Sequence, residues 1–527
     1  MPPPPATAED ALEVEWQFEA PDLDQVERWL RAQPAHAALA FVDGGERIQV
    51  DRYLDTDDWR VYRAGYSLRV RTSGEHAEAT LKALADAATA AATPARRREI
   101  NEELAAGEAD PLAAPGAVGE RLRLLCAGRP LRALVDVTTR RRTFRVMRQG
   151  SALAAITLDE ARIGDDVPGA RALRRVEVEE SAAGGLAAIE SFVDALRAAC
   201  ALHPAAASKF ESGLRAAGLT PAPAVDLGPT DGDPDGPPAA FALAMLRRAF
   251  AAFLEREPGT RLGEDSEALH QMRVATRRLR AIGSVFAPAL PPEMPELREE
   301  LRWIAGALGE VRDLDVQLEE LAALQHNADW DEGTALGPLV AIVHEAHGEA
   351  RRRLITALDG GRYRALVERL TAVLTRGTPQ PPAPTVPPGD RSTETVAAFA
   401  APVLRSRYRR FRRDGSRLGP ESPAVEYHAV RVRAKRLRYA LEQFAELYGR
   451  DARRMVDRTK AVQDLLGAHQ DSDVAIDRLH RLARERGAEL PPETLLAMGE
   501  LIERHRARME RLRGEWPRDF RRMRRAW

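Results

Sequence analysis

The chain has 527 residues, and its 44% hydrophobic and 30% charged composition indicates a globular protein and excludes a disordered or fibrous one. Its two cysteines, Cys126 and Cys200, exclude a disulfide framework and a cysteine metal cluster, and they fit a reducing compartment. The start "MPPPPATAED" lacks the pattern of a signal peptide, and no apolar run reaches transmembrane length, so we expect a cytoplasmic protein without a membrane partner.

The net charge of −2 conceals a difference between two parts of the chain. Residues 1–220 hold 28 Lys and Arg against 34 Asp and Glu, whereas residues 239–527 hold 50 against 42. Residues 219–238 between them are rich in Pro, Gly and Asp, which predicts a linker. We therefore expect a disordered terminus over 1–9, a first domain over 10–218, and a second domain over 239–527 with halves at about 239–375 and 391–527.

Short alternating segments predict β-strands in the first part. These segments are LEVEWQF, RIQVDRYLDT, YSLRVRT, EATLKAL, TFRVM, AAITLDEARI and RRVEVEE. Two helical segments, at about 23–32 and 186–201, interrupt them.

Charged residues in these strands recur with a period of two. Glu13, Glu15 and Gln17 share one side of a strand, and so do Glu177 and Glu179. Cations repeat in the same way in SLRVR and TRRRT. The pattern fits two structures equally well, namely an exposed sheet face with cross-strand ion pairs or a barrel with a wet, polar lumen. In a lumen, oxygen ligands suit Mg²⁺ or Mn²⁺, and the cations suit phosphate, which together favours metal-assisted phosphoanhydride hydrolysis.

The order of the motifs resembles the CYTH domain of the triphosphate tunnel metalloenzymes. The motifs are EVEWQ, YLDT, SLRVR, TLK, RREIN, TRRRT, LDE, VEVE and SKFESGL. The resemblance implies an eight-stranded antiparallel tunnel that binds a triphosphate and one or two divalent ions. Members of this family include inorganic triphosphatases, thiamine triphosphatases and some adenylate cyclases, so a cyclase remains an alternative.

The resemblance also implies roles for individual residues. The metal ligands or water-positioning acids are Glu13, Glu15, Asp159, Glu177 and Glu179. The triphosphate-binding residues are Arg69, Arg71, Lys82, Arg97, Arg140, Arg142 and Lys209. Glu15 and Lys209 are the expected catalytic residues.

Gln17 departs from the family signature Glu-x-Glu-x-Lys, because an amide can form hydrogen bonds but has no charge. This departure leaves an alternative to the triphosphatase, namely a catalytically silent protein that binds polyphosphate or associates with polyphosphate granules.

The second part of the chain has helical periodicity and an internal repeat. HQMRVATRRLR, from His270, returns 158 residues later as HAVRVRAKRLR, and LGEVRDLDV returns at the same offset as LGAHQDSDV. Two motifs at one offset predict a duplicated helical unit with a pseudo-two-fold axis.

The repeated motif places cations on one face of each helix. His270, Arg273, Arg277 and Arg280 lie at positions 0, +3, +7 and +10, which gives a stripe about 15 Å long. The second stripe contains His428, Arg431, Lys435 and Arg438, with Arg436 beside it. Such stripes are either solvated faces with Asp313, Asp315, Asp471 and Asp473 as ion-pair partners, or the walls of a channel for a polyanion.

The paired motifs resemble the conserved histidine α-helical domain, CHAD, over about residues 239–527. The resemblance implies two helical-bundle halves with a basic surface that binds inorganic polyphosphate through the two stripes and Arg436. The whole chain resembles bacterial inorganic triphosphatases that contain both domains. We do not expect nucleic acid as a partner, because only 5% of residues are aromatic and the stripes lack stacking residues.

The predicted fold is therefore an α+β multidomain protein, with an N-terminal eight-stranded antiparallel β tunnel barrel and a C-terminal all-α domain of two pseudo-symmetric helical-bundle halves. Its expected ligands are inorganic triphosphate, polyphosphate and either Mg²⁺ or Mn²⁺, and its expected location is the cytoplasm or polyphosphate granules.

Overall fold

The computed structural model describes residues 9–32, 39–74, 76–84, 94–105, 110–164, 172–181, 185–327, 334–376 and 395–525. Residues 1–8 of the expected disordered terminus, and residues 391–394 at the expected start of the second helical half, lie outside these ranges. The described residues form two compact units. One contains the chain up to Ala224 together with Glu255–Asp265, and the other contains Val225–Leu254 and the chain from Ser266.

The first unit is built on a closed antiparallel barrel. Its strands are β1 (Glu9–Glu19), β2 (Leu39–Asp55), β3 (Tyr66–Ser73), β4 (His76–Ala83), β5 (Ala95–Leu104), β6 (Arg132–Arg148), β7 (Ser151–Ile163) and β8 (Leu173–Glu180), with a two-residue β9 (His203–Pro204) added to β1. The order is β5-β4-β3-β2-β6-β7-β8-β1, and pairing of β1 with β5 closes the barrel. The predicted eight-stranded barrel is confirmed.

The helices of the first unit are α1 (Leu23–Arg31), α2 (Arg60–Arg63), α3 (Ala117–Cys126), α4 (Gly185–Cys200) and α5 (Lys209–Ala216). The two predicted helices correspond to α1 and α4. Both cover the outer wall, where Val26 and Phe192 join Ile156 and Val178 in one apolar cluster. Because strand side chains alternate, an outer face buried under helices directs the polar side chains of the same strands into the lumen.

A segment that follows the predicted linker belongs to the first unit. Glu257 accepts hydrogen bonds from Arg60 at 3.0 and 3.1 Å, and both side chains are almost completely buried. Leu262 joins an apolar cluster of the barrel, and Glu264 accepts a hydrogen bond from Tyr66 at 2.7 Å. The composition of the linker gives no sign of these contacts, because they join residues that are distant in sequence.

The second unit is helical. Its helices are α6 (Pro238–Leu262, which contributes to both units), α7 (Ser266–Val285), α8 (Met294–Asn327), α9 (Gly337–Asp359), α10 (Gly361–Thr375), α11 (Val396–Gly415), α12 (Ala424–Gln443), α13 (Ala445–Arg486) and α14 (Pro492–Arg524). Helix α7 packs against α8, α12 packs against α13 and α11, and α7 contacts α12. The predicted helical class is confirmed, and the two repeated motifs lie on the contacting helices α7 and α12.

No helix in the described ranges combines the length and the apolar character that a membrane span requires.

Candidate functional site

The barrel encloses a polar cavity of about 230 Å³. Charged residues from β1 to β6, β8 and the start of α5 line it. They are Glu13, Arg47, Arg69, Arg71, Glu78, Lys82, Arg97, Glu99, Arg141, Glu177, Glu179, Lys209 and Glu211. Both acidic and basic side chains therefore line the lumen. The alternation of charged residues in the strands is explained by a barrel with a polar lumen and not by an exposed sheet face.

A lysine occupies the centre of an acidic group in this lumen. Lys82 Nζ lies 2.9 Å from Glu15 Oε1 and 3.3 Å from Glu99 Oε2, and it also pairs with Glu13. Gln17 Nε2 donates a hydrogen bond to Glu15 Oε1 at 2.9 Å. The neutral Gln17 thus supports the same carboxylate that Lys82 neutralises.

Glu13, Glu15 and Glu179 form an acidic wall. Glu15 is directly opposite Glu179 in the pairing of β1 with β8. Burial, together with the negative charges of Glu15 and Glu99, raises the pKa of Glu13 to about 8 despite the nearby Lys82. Burial, followed by the charges of Glu15 and Glu99, also raises the pKa of Glu179. Burial and mutual repulsion therefore disfavour full ionisation of this wall, and Glu13 is mostly protonated at neutral pH.

A second group of acids is fully paired. Arg141 Nε donates to Asp159 Oδ1 at 2.7 Å, and its Nη2 donates to Glu177 Oε2 at 2.7 Å. Lys209 Nζ lies 2.9 Å from Glu177 Oε1 and also pairs with Asp159. Although burial opposes ionisation, Lys209 and Arg141 hold the pKa of Glu177 well below its usual range.

Lys209 reaches the lumen because the first turn of α5 is fixed there. Ser208 is the N-cap, and its side chain accepts a hydrogen bond from the Glu211 backbone N–H while the Glu211 side chain bonds to the Ser208 backbone N–H. This capping box sets the direction of the helix start. Phe210 and Leu214 bury the opposite face of α5, which leaves the Lys209 side chain pointing at Asp159 and Glu177.

Asp51 orients two arginines of the lumen. It is fully buried, and it accepts hydrogen bonds from Arg71 Nε at 2.7 Å and Arg71 Nη2 at 3.0 Å. Arg69 Nε lies 3.9 Å away. Against the effect of burial, Arg69 and Arg71 hold the pKa of Asp51 at about 2. A bidentate contact of this kind fixes the plane of the guanidinium.

A basic cavity of about 680 Å³ lies in the helical unit. Of the two predicted stripes, Arg273, Arg277, Arg280, Lys435 and the adjacent Arg436 line it. The other cationic residues that line it are Arg298, Arg302, Arg407, Arg410 and Arg433. Asp and Glu are absent from this lining among the described residues.

Four stripe residues lie outside this lining, namely His270, His428, Arg431 and Arg438. His428 Nδ1 is 2.5 Å from Gln470 Oε1, and Arg438 pairs with Glu442 at 3.5 Å. Arg431 pairs with Asp471 at 3.8 Å, and Arg273 pairs with Asp313 at 3.6 Å. These last two pairs are equivalent under the offset of 158 residues. The duplicated motif therefore has the same contact in both halves.

Comparison with known proteins assigns both units. A family model described as CYTH domain matches residues 11–214, and a model described as CHAD domain matches residues 244–480. The chain contains a CYTH domain and a CHAD domain.

Similar proteins cover different parts of the chain. The uncharacterized protein MT2285 of Mycobacterium tuberculosis is 26% identical over 507 residues, which cover 90% of each chain. A CHAD domain from the plant Ricinus communis is 27% identical, with a TM-score of 0.46, over 56% of this chain and 96% of that one. The adenylyl cyclase candidate HpAC1 from Hippeastrum, for which a dominant triphosphatase activity is described, is 15% identical, with a TM-score of 0.31, over 40% and 97%.

Two predicted lumen residues of the CYTH domain require correction. Arg140 pairs with Glu160 at 3.1 Å on the outer face of the barrel, and Arg142 pairs with Asp24 and Glu27 of α1. Arg141, between them, points into the lumen. In a run of three arginines, the sequence does not show whether the middle one or the outer two face the lumen. The pairing of Arg141 with Asp159 across β6 and β7 decides that Arg141 does.

The sequence reasoning also missed several charged residues. In the CYTH domain these are Arg47, Asp51, Glu78, Glu99, Arg141 and Glu211. Alternation in "RIQVDRYLDT" could have found Asp51, because it lies two residues before Tyr53 on the same strand face. In the CHAD domain Arg298, Arg302, Arg407 and Arg410 were missed because they lie on α8 and α11, outside the repeated motif. Arg433 was missed although it lies within the motif on α12, because it is not part of the predicted stripe.

The predicted metal ligands divide between the two acidic groups. No group of three or more His, Cys, Asp or Glu side chains in the described ranges has the arrangement of a metal site. The acidic wall nevertheless fits a divalent cation chemically, because carboxylate oxygens are its preferred ligands. Glu15 and Glu179 face each other in register, and a cation would relieve the repulsion between them. Asp159 and Glu177 instead have Arg141 and Lys209 as partners.

Proposed function

We propose that the CYTH domain hydrolyses a short inorganic phosphate chain, with triphosphate as its substrate and Mg²⁺ or Mn²⁺ as its cofactor. The main support is the convergence of cations from β3, β4, β5, β6 and α5 on one lumen that also contains an acidic wall. We further propose that the CHAD domain binds longer polyphosphate and locates the enzyme at cytoplasmic polyphosphate granules.

The arginines of the lumen are arranged to hold phosphate. Arg71 uses Nε and Nη2 to contact Asp51, and Arg141 uses the same two atoms to contact Asp159 and Glu177. Each guanidinium therefore has one edge fixed by carboxylates, while its Nη1 forms no hydrogen bond with the described residues. A phosphate oxygen can therefore bind to Nη1 without prior rearrangement of the guanidinium. Such a preorganised donor favours stabilisation of charge in the transition state.

Glu13, Glu15 and Glu179 would hold the divalent ion, which supplies polarisation of a phosphate oxygen and activation of water. Lys82 and Lys209 neutralise charge near the substrate. Gln17 keeps the Glu15 carboxylate oriented through its amide. The proposal therefore does not require a lysine at position 17.

The proposed role of Arg141 can be tested against its neighbour. Arg141→Gln should lower kcat/KM for triphosphate by about a hundredfold, because it removes a preorganised donor from the lumen. Arg140→Gln removes the same charge from the outer face and should leave kcat/KM within about twofold. Phosphate release from triphosphate measures both. Equal effects of the two substitutions would contradict the phosphate-binding lumen.

Lys435 predicts a pH dependence of polyphosphate binding by the CHAD domain. Burial, followed by the charges of Arg431, Arg277 and Arg273, lowers the pKa of Lys435 to about 8, and Asp471 opposes this only partly. The lysine therefore loses its charge as the pH rises through about 8, well before an exposed lysine would. A bound polyanion favours the charged form, so binding should take up a proton.

The affinity for polyphosphate should accordingly fall by about threefold to tenfold between pH 7 and pH 9, because one cationic contact is lost. Lys435→Arg stays charged over this range and should remove most of the change. Titration calorimetry in buffers of different ionisation enthalpy measures the affinity and the proton uptake together. A wild-type affinity that is independent of pH, or an equal fall in the variant, would contradict this role of Lys435.

A further inference from the structure

One part of the basic cavity has little acidic compensation. We call Arg280, Arg298, Arg302, Arg407, Arg410 and Arg436 the arginine cluster; these residues come from α7, α8, α11 and α12. Within the described residues, Arg302 forms an ion pair with Glu299 of its own helix, whereas the other five have no carboxylate within 4.0 Å. Backbone carbonyls hold Arg407 instead, since its Nη1 donates to Arg436 O at 2.9 Å.

The stripe residues nearer the two histidines differ in this respect. Arg273 and Arg431 pair with Asp313 and Asp471, which lie in the second repeated motif. Arg280 is seven residues beyond Arg273 on α7, which corresponds to about 10 Å along the helix. The positive charge that is available to a ligand therefore rises along the stripe from the histidine side towards the arginine cluster.

A phosphate chain has a corresponding difference along its length. Each internal phosphate has one ionised oxygen, whereas a terminal phosphate has a second ionisation near neutral pH and so about two negative charges. Arginine also prefers a phosphate with several free oxygens, because its planar fork contacts two of them at once. Terminal phosphates offer three free oxygens, and internal phosphates offer two.

We propose that the CHAD domain recognises the end of a polyphosphate chain, with the terminal phosphate in the arginine cluster and the following phosphates along the stripe towards Arg273. This inference rests on the proposed binding of polyphosphate and specifies which part of the polymer is bound. A phosphatase that removes terminal units acts at the end of a chain. A domain that binds the end would hold the chain at that position.

Stoichiometry distinguishes end binding from binding along the chain. The full-length protein is titrated, by analytical ultracentrifugation, against polyphosphates of two narrow size classes that differ about tenfold in length. End binding predicts saturation at two protein molecules per chain for both classes. Saturation that rises in proportion to chain length would overturn the inference, and the binding of polyphosphate itself would stand. No binding of either class would overturn the proposed function of the CHAD domain as well.

Blocked chain ends and matched variants provide a second test. Conversion of the terminal phosphates to neutral-amine phosphoramidates should weaken binding by about tenfold, because it removes one charge and one oxygen from each end. Arg298→Gln with Arg407→Gln should reduce the preference for unblocked chains to less than about threefold. Arg405→Gln with Arg409→Gln removes the same charge from exposed positions on α11 and should preserve the preference. Equal binding of blocked and unblocked chains by the wild-type protein would overturn the inference.

Discussion

Glu15→Gln should reduce triphosphate turnover by about a thousandfold or more, the largest effect that we expect from one substitution. Glu15 is almost completely buried, contacts Lys82 and Gln17, and faces Glu179 across two strands. The amide has nearly the same shape as the carboxylate but lacks the charge that a divalent ion and Lys82 require. The substitution therefore tests the charge of the acidic wall with little change in packing.

Glu19→Gln is the matched control, because Glu19 lies on the same strand and pairs with Arg175 outside the lining of the cavity. Its turnover should remain within about twofold of the wild type. Thermal unfolding should show that both variants keep the midpoint within about 3 °C. Calorimetric titration with Mn²⁺ gives a readout besides turnover, and Glu15→Gln should weaken this binding. Full turnover by a folded Glu15→Gln protein would contradict the assignment of the acidic wall.

Reversal of two charges in the basic cavity should abolish polyphosphate retention. Arg277→Glu with Lys435→Glu places carboxylates on both contacting helices, α7 and α12, and changes the local charge by four. Repulsion of a polyanion, together with the loss of two cationic contacts, should weaken binding by more than about a hundredfold at low salt. Arg277 also lies 5.5 Å from the ring of Tyr439, so the change removes a cation–π contact.

The matched control is Arg405→Glu with Arg409→Glu, which makes the same change in net charge at exposed positions outside the lining. Retention on immobilised polyphosphate is measured for all three proteins, and triphosphate turnover is measured in the same preparations. The cavity variant should lose retention and keep its turnover within about twofold. Loss of turnover in the cavity variant, or equal loss of retention in the control, would contradict the separate roles of the two domains.

Strand alternation predicted most of the lumen from the sequence. It placed Glu13, Glu15 and Gln17 together and Arg69 beside Arg71, because polar and apolar residues alternate strictly in those strands. In TRRRT it placed Arg140 and Arg142 in the lumen instead of Arg141, because the three side chains are chemically identical. The choice there depends on the neighbouring strand, since Asp159 lies opposite Arg141 and Glu160 lies opposite Arg140.

The basic cavity was predictable only where the sequence repeats itself. The offset of 158 residues identified Arg277 and Lys435, and helical spacing gave their common face. Arg298 and Arg407 lie in segments without such a signal, and the packing of α8 and α11 against the repeated helices brings them to the cavity. Contacts between elements distant in sequence decide such positions.

The most direct test of the proposed enzyme is phosphate release by the purified full-length protein from inorganic triphosphate, ATP and long polyphosphate. Each substrate is measured with Mg²⁺, with Mn²⁺ and with excess EDTA. We predict release from triphosphate that depends on the divalent ion and exceeds release from ATP. No release from any substrate, while polyphosphate still binds tightly, would contradict the proposed enzyme and would support the alternative of a catalytically silent polyphosphate-binding protein.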